Sequence, residues 1–76
     1  MSLVHIVILV YSPSHALRAE KLLHGAAIPC KLIPVPRHLS SDCGVCIRIR
    51  QSDQAAALET LARAGVETQG IHNVYR

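Results

Sequence analysis

The feature that most constrains this fold is a continuous apolar run over residues 3–10. Its sequence is LVHIVILV, rich in β-branched residues and interrupted only by His5. Such a run is typical of a strand that is buried on both faces. The chain has 76 residues, which suffices for one domain with one small core. We therefore expect a single domain, residues 1–76, built around this strand.

The residues that follow the run carry the signals of a helix. Ser12 can cap its first amides, and Pro13 suits the first helical position. Gly25 and Pro29 mark its end. Its inward-facing residues recur at helical spacing: Ala16, Ala19, Leu23 and Ala26.

Three more strands are predicted farther along the chain. The second strand is Cys30–Val35, the third is Val45–Arg50, and the fourth is Val66–Ile71, at an edge of the sheet. In the third strand apolar residues alternate with Cys46, Arg48 and Arg50, so the two sets face opposite sides.

A second helix is predicted between the third and fourth strands. Ser52 would cap it, Asp53 would lie where the helix dipole favours an anion, and Gly65 would end it. Its inner face would be formed by Ala55, Leu58 and Ala62, with Leu61 beside them.

The element order β-α-β-β-α-β predicts an α+β, ferredoxin-like sandwich, with an antiparallel sheet and two helices on one face. The right-handed crossover rule makes the first two strands parallel, with the third between them. The start of the first helix, Ser12–His15, and the loop Pro36–Gly44 then share one end of the sheet with the carboxyl end of the second helix.

The loop Pro36–Gly44, with sequence PRHLSSDCG, is the candidate site. Nine residues exceed the roughly 2–5 that connect two hairpin strands, and long ordered loops in small domains tend to be functional. Its basic and hydroxyl side chains, together with the amides that begin the first helix, resemble an anion cradle. The predicted anion-binding residues are Ser12, His15, Arg37, His38, Ser40, Ser41 and Gly44, the last allowing the backbone to turn.

Cys43 is the residue that we expect to perform chemistry. A thiol has a pKa of about 8.5, and nearby cations and a helix amino end favour the thiolate. The thiolate attacks a persulfide, disulfide or selenide. The alternative is a loop cysteine without a role.

Cys43 and Cys46 form a CxxC pair, which leaves two further interpretations open. The pair can close a redox disulfide or supply two metal ligands. However, it enters a strand rather than opening a helix, and a structural zinc site needs four ligands, which only a dimer would complete. Cys46 is thus a possible second thiol, and no metal or cofactor is predicted. Cys30 is interpreted as a packing residue, and His5 as a hydrogen-bonded core or interface histidine.

Charge and patterning define the expected partners. The net charge of +3 suits a small anion, whereas scattered basic residues without stacking aromatics argue against nucleic acid. No apolar run approaches the roughly 20 residues that span a membrane. The first strand is apolar on both faces and the helices cover one, so a second copy is expected on the other, with Arg48 and Arg50 at the rim of this homodimer. An odd number of cysteines argues against a secreted disulfide framework and favours the cytoplasm.

Several segments together resemble a known family. They are YS at 11–12, ALxAEKLL at 16–23, Ile28, and IPVPRxxSSxCG at 33–44, which is the specific part. The chain is similar through most of its length to the putative selenium/sulfur carrier-like family of small bacterial and archaeal proteins. Two residues depart from the family pattern, Tyr11 in place of phenylalanine and Cys46 in place of a small or aliphatic residue.

The resemblance implies a cytoplasmic protein that carries sulfur or selenium on Cys43, a carrier rather than a true enzyme. It also implies a sulfur or selenium donor protein, such as a cysteine desulfurase, as its partner. Two alternatives remain open: a metal-binding or thiol-redox module that uses the CxxC pair, and a regulatory domain that binds a small anion.

Overall fold

The computed structural model describes residues 4–39 and 43–75. No helix within these two ranges is long and apolar enough to cross a membrane. A 3-10 turn, Gln51–Asp53, precedes the second helix. The regular elements in chain order are β1 (Val4–Leu9), α1 (Pro13–Gly25), β2 (Cys30–Pro34), β3 (Val45–Arg50), α2 (Gln54–Arg63) and β4 (Gly70–Tyr75).

The four strands form one antiparallel sheet in the order β2-β3-β1-β4. The apolar strand β1 therefore lies inside the sheet and pairs with β3 on one side and β4 on the other. Because β1 and β2 both run antiparallel to β3, they are parallel to each other. The predicted α+β class, the position of β3 between β1 and β2, and the edge position of the last strand are confirmed.

The two faces of the sheet differ in what covers them. Side chains alternate along a strand, so Ile6 and Ile8 of β1 share one face with Ile47 and Ile49 of β3. This helix face packs in one buried cluster with residues of both helices. The open face carries a second, smaller cluster, which consists of Val7, Leu9 and Cys46.

Helix α1 begins as predicted. Ser12 is its N-cap, with an extended backbone, and the Ser12 Oγ accepts a hydrogen bond from the His15 amide at 3.3 Å. Pro13 occupies the first turn. Of the predicted inward-facing residues, Ala16, Ala19 and Leu23 are buried, whereas Ala26 is exposed.

The chain leaves α1 through a turn that the sequence analysis did not anticipate. Ala26 caps the helix instead of extending its inner face, and Ala27 has a φ of 59°. The Ile28 amide donates to the Leu23 carbonyl at 2.9 Å, the pattern of a Schellman motif. This turn directs Ile28 into the core.

The predicted start of α2 at Ser52 is wrong. The 3-10 turn displaces the helix start to Gln54, and Asp53 takes the cap position. The Asp53 carboxylate makes no capping bond, because it accepts a hydrogen bond from Arg50 Nε at 2.9 Å.

The predicted inner face of α2 is also displaced. Ala57 and Leu61, one helical turn apart, are the buried residues, and Leu58 is half-buried. Ala55 and Ala62, predicted to face inward, are exposed. The alanine-rich sequence is apolar on several sides, so its periodicity does not select one face.

The last strand begins later than predicted. Gly65 ends the helix as expected, with a φ of 73°. The amide of the next residue, Val66, donates to the Leu61 carbonyl at 3.0 Å, and Val66 is buried. Val66 therefore closes the end of α2 instead of opening a strand, and β4 runs over Gly70–Tyr75.

Candidate functional site

Cys43 lies two residues before the start of β3 and is only 2% exposed. It belongs to the buried cluster on the helix face, together with Val10, Ala16 and Ile47. Its place in a long loop predicts a functional residue, whereas the structure places Cys43 in the core. A thiol behaves as a small hydrophobic group, which makes this burial favourable.

Cys46 is completely buried, but on the open face. Its Sγ lies 4.0 Å from the Pro34 carbonyl oxygen, toward which the thiol donates. Burial, and to a lesser extent the charge of Cys43, raises the pKa of Cys46 to about 11. Cys46 is therefore a protonated thiol at neutral pH, which is neither the nucleophile nor the metal-binding form.

The two cysteines of the CxxC pair thus lie in different surroundings. They belong to separate buried clusters on opposite faces of the sheet. A charge on Cys43 nevertheless contributes to the raised pKa of Cys46. Within residues 4–39 and 43–75, no group of three or more histidine, cysteine or acidic side chains is arranged to hold a metal ion. The third cysteine, Cys30, is half-buried, and its Sγ lies 3.9 Å from the Glu20 carbonyl oxygen, which agrees with a packing role.

Two of the predicted anion-binding residues contact each other at the start of α1. Ser12 Oγ lies 2.6 Å from His15 Nδ1, and both residues are half-buried. Since the same oxygen also accepts the His15 amide, the Ser12 hydroxyl already serves as the helix cap.

The structure describes three more of the predicted residues, Arg37, His38 and Gly44. Arg37 and His38 are exposed, and Arg37 lines a cavity on the open face, opposite the cluster that contains Cys43. Gly44 accepts a hydrogen bond from the Val35 amide at 3.2 Å, and a side chain at Gly44 would meet no other atom, so the position does not require glycine. Ser40 and Ser41 lie outside the described residues.

The first part of the loop covers the open face. The Leu39 amide donates to the Pro36 carbonyl at 2.9 Å. This turn brings Leu39 and Val35 against the cluster of Val7, Leu9 and Cys46. The sequence analysis assigned this cover to a second copy of the chain, because a loop of mixed polarity does not reveal which side of the sheet it follows.

The beginning of α1 and the carboxyl end of α2 were predicted to lie at the same end of the sheet, and a hydrogen bond joins these two parts of the helices. Arg18 Nη2, in the second turn of α1, donates to the carbonyl of Ala64, the C-cap of α2, at 2.9 Å. The Gln69 amide donates to the carbonyl of Leu9, the last residue of β1, at 2.7 Å. The loop that follows α2 is thereby held at the end of β1, close in sequence to the α1 start.

His5 and Arg48 line two cavities, the larger of them on the open face, and neither residue was predicted to belong to a site. The cavities measure about 390 Å³ and about 170 Å³. His5 Nδ1 is buried and has no hydrogen-bond partner among the described residues, so the predicted hydrogen-bonded histidine is not supported at this atom. His5 and Arg48 are brought together by the pairing of β1 with β3. The periodicity of the sequence does not reveal this register.

Comparison with known proteins agrees with the motifs in the chain. The family described as "Putative Se/S carrier protein-like" matches residues 5–73, which include β1, both helices and the cysteine pair. No curated protein and no solved structure is significantly similar to the chain. Because the match covers most of the sequence, the chain belongs to the putative Se/S carrier protein-like family.

Proposed function

We propose that this protein carries a sulfur or selenium atom on Cys43 and transfers it to a partner. The observation that carries the proposal is the family match, which spans the segment containing Cys43. The surroundings of Cys43 support it, since the residue is only 2% exposed and lies among apolar side chains. A reactive terminal sulfur atom held there is shielded from water and from oxidants.

The transfer step is an exchange at a persulfide. The Cys43 thiolate attacks the outer sulfur of a donor persulfide, R–S–SH, and the donor sulfur–sulfur bond breaks as the new one forms. The products are Cys43–S–SH and the donor thiolate, with no net oxidation or reduction. The reverse reaction, with a different thiolate, delivers the atom. A selenium atom follows the same sequence of bonds.

The structure favours one carrying thiol over a cysteine pair. A metal-binding or redox role for the pair requires the Cys46 thiolate, and the pKa of about 11 disfavours that form at neutral pH. Cys46 also packs on the opposite face of the sheet from Cys43. Its role in this proposal is to fill the open-face cluster.

The finer features of the proposal are a ferredoxin-like topology, a cytoplasmic location, and a sulfur donor such as a cysteine desulfurase. The strand order β2-β3-β1-β4 supports the topology. The burial of Cys43 means that the donor must displace covering groups to reach the sulfur.

The homodimer stays a prediction. It was based on an uncovered apolar face, and Val35 and Leu39 cover the centre of that face within the chain. Light scattering at micromolar concentration tests it. A molar mass of twice 8.3 kDa supports the homodimer, and a mass of 8.3 kDa contradicts it.

Mass spectrometry tests the carrier role. After incubation with a cysteine desulfurase and cysteine, we expect a gain of about 32 Da, one sulfur atom, on the peptide that contains Cys43. Cys43→Ser should lose the gain completely, whereas the matched variants Cys46→Ser and Cys30→Ser should keep it. A gain that survives in Cys43→Ser, or no gain in the unaltered protein, would contradict the proposal.

A further inference from the structure

The open face of the sheet carries an unusual pairing of like charges. Lys31 of β2 lies directly opposite Arg48 of β3 in the strand register. Like charges in this position destabilise a sheet. The same row continues across the sheet through Val7 to His72. A negative charge supplied from outside the chain would relieve this repulsion.

No acidic residue lies on the open face of the described strands. Asp53, which follows β3, is paired with Arg50 at 2.9 Å. Within residues 4–39 and 43–75, neither Lys31 nor Arg48 forms an ion pair. The positions on this face are His5, Val7, Leu9, Lys31, Ile33, Cys46, Arg48, Arg50, Gly70, His72 and Val74.

Two cavities border on residues of this row. The smaller one, about 170 Å³, is lined by four basic side chains, His5, Lys31, Arg48 and Arg50, and also by Pro29, Cys30 and Ile49. The larger one, about 390 Å³, shares His5 and Arg48 but is otherwise mainly apolar. Its apolar lining consists of Val7, Ile33, Pro34, Val35, Pro36 and Val74. The cationic side chains of Lys31 and Arg48 thus lie beside a cavity that apolar residues mainly line.

His5 is a further unusual residue of this face. Its Nδ1 atom is shielded from solvent and has no hydrogen-bond partner among the described residues. Buried polar atoms are normally paired, and an unpaired one is unfavourable. His5 borders both cavities, although its Nδ1 atom itself is not open to them.

We propose that this face binds a small organic molecule with one anionic group and an apolar body. The anionic group, a phosphate ester or a carboxylate, lies by Lys31 and Arg48, whose side chains suit both groups. The apolar body fills the larger cavity, whose volume is typical of small-molecule sites. The proposed ligand does not depend on the carrier function, because the larger cavity lies on the face opposite the Cys43 cluster.

Two other occupants fit the face less well. A second copy of the chain, placed face to face, would bring two sets of Lys31 and Arg48 together without an acidic partner. Single-stranded nucleic acid normally stacks on aromatic residues, and the described strand positions of this face include no Phe, Tyr or Trp.

Matched probes test the proposal on the full-length protein by NMR titration of its amide signals. The probes are 1-naphthyl phosphate, 1-naphthoate and the uncharged 1-naphthol, with inorganic phosphate as a charge-only control. We expect one or both organic anions to bind at least about tenfold more tightly than naphthol and phosphate. Shifts should centre on His5, Val7, Ile33 and Val74. The preferred anion distinguishes a phosphate ester from a carboxylate.

Charge variants show whether the basic row holds the anion. Arg48→Gln and Lys31→Gln should each weaken the preferred organic anion by about tenfold, while naphthol binding changes little. Arg63→Gln removes the same charge from the exposed end of α2 and should leave the affinity unchanged. If Arg48→Gln does not fold, the Lys31→Gln variant and the comparison of the four probes still test the proposal.

Four results would overturn the proposal. One is an affinity for naphthol equal to that for both organic anions. Another is a set of shifts centred away from the two cavities, or an equal loss of affinity in Arg63→Gln. The last is a stable dimer in which the open face is shielded by the second copy.

Discussion

Replacing Ile8 with alanine should lower the free energy of unfolding by about 2–5 kcal/mol. Ile8 is completely buried on the helix face of β1, with Ile47 and Ile71 opposite it in the two neighbouring strands. The substitution removes buried methyl groups and leaves a cavity between the sheet and the helices. A domain of this length has a total stability of about 4–11 kcal/mol, so a large part of it should be lost.

Urea unfolding at neutral pH, followed by circular dichroism, measures this change. Leu17→Ala is the control, because Leu17 lies on α1 but is 57% exposed. It should change the unfolding free energy by no more than about 0.5 kcal/mol. Equal effects of the two substitutions would show that β1 and the helices do not form the core described above.

Alkaline pH should destabilise the protein through Cys46. Its pKa is raised from 9.0 to about 11 in the folded state by burial and by the charge of Cys43. A raised pKa means that the folded state retains a proton which the unfolded state releases. The stabilisation is therefore fully present below pH 9 and is lost between pH 9 and 11. At pH 10.5 the loss should be about 2 kcal/mol relative to pH 8.

The Cys46→Ala variant isolates this effect from other groups that titrate in the same range. Urea unfolding of both proteins, under reducing conditions at pH 8 and pH 10.5, gives the required difference. The variant should be less stable at pH 8, since it loses packing, but should lose less stability on going to pH 10.5. Equal losses in both proteins would mean that the Cys46 thiol is not held in its protonated form.

The strands were easier to predict from the sequence than the second helix. Val45–Arg50 alternates strictly, and its bounds agree with those of β3. The α2 sequence offers apolar residues on several sides, so neither its buried face nor its start was predicted. Val66 looked like the start of a strand because it is β-branched, yet it completes the turn after Gly65 and packs on the core.

The role of the loop as a site stays a prediction. The length of the loop indicated a functional segment, and the topology indicated the end of the sheet at which it lies. Neither indicated that Cys43 is buried or that Arg37 lines a cavity on the open face. The burial of Cys43 and the position of Arg37 both depend on the face of the sheet against which each residue packs. Lys31 and Arg48 illustrate the same limit, because neighbours across strands are set by register rather than by spacing along the chain.

The alternation of side chains along β3 makes the sheet a partition between two compartments. Cys43 precedes the strand and packs with the helices, while Arg48 borders the cavities on the far side. An atom carried on the thiol and a ligand in the larger cavity would then occupy separate volumes without competing. Even a chain of 76 residues can hold two occupants at once when a single layer of backbone keeps them apart.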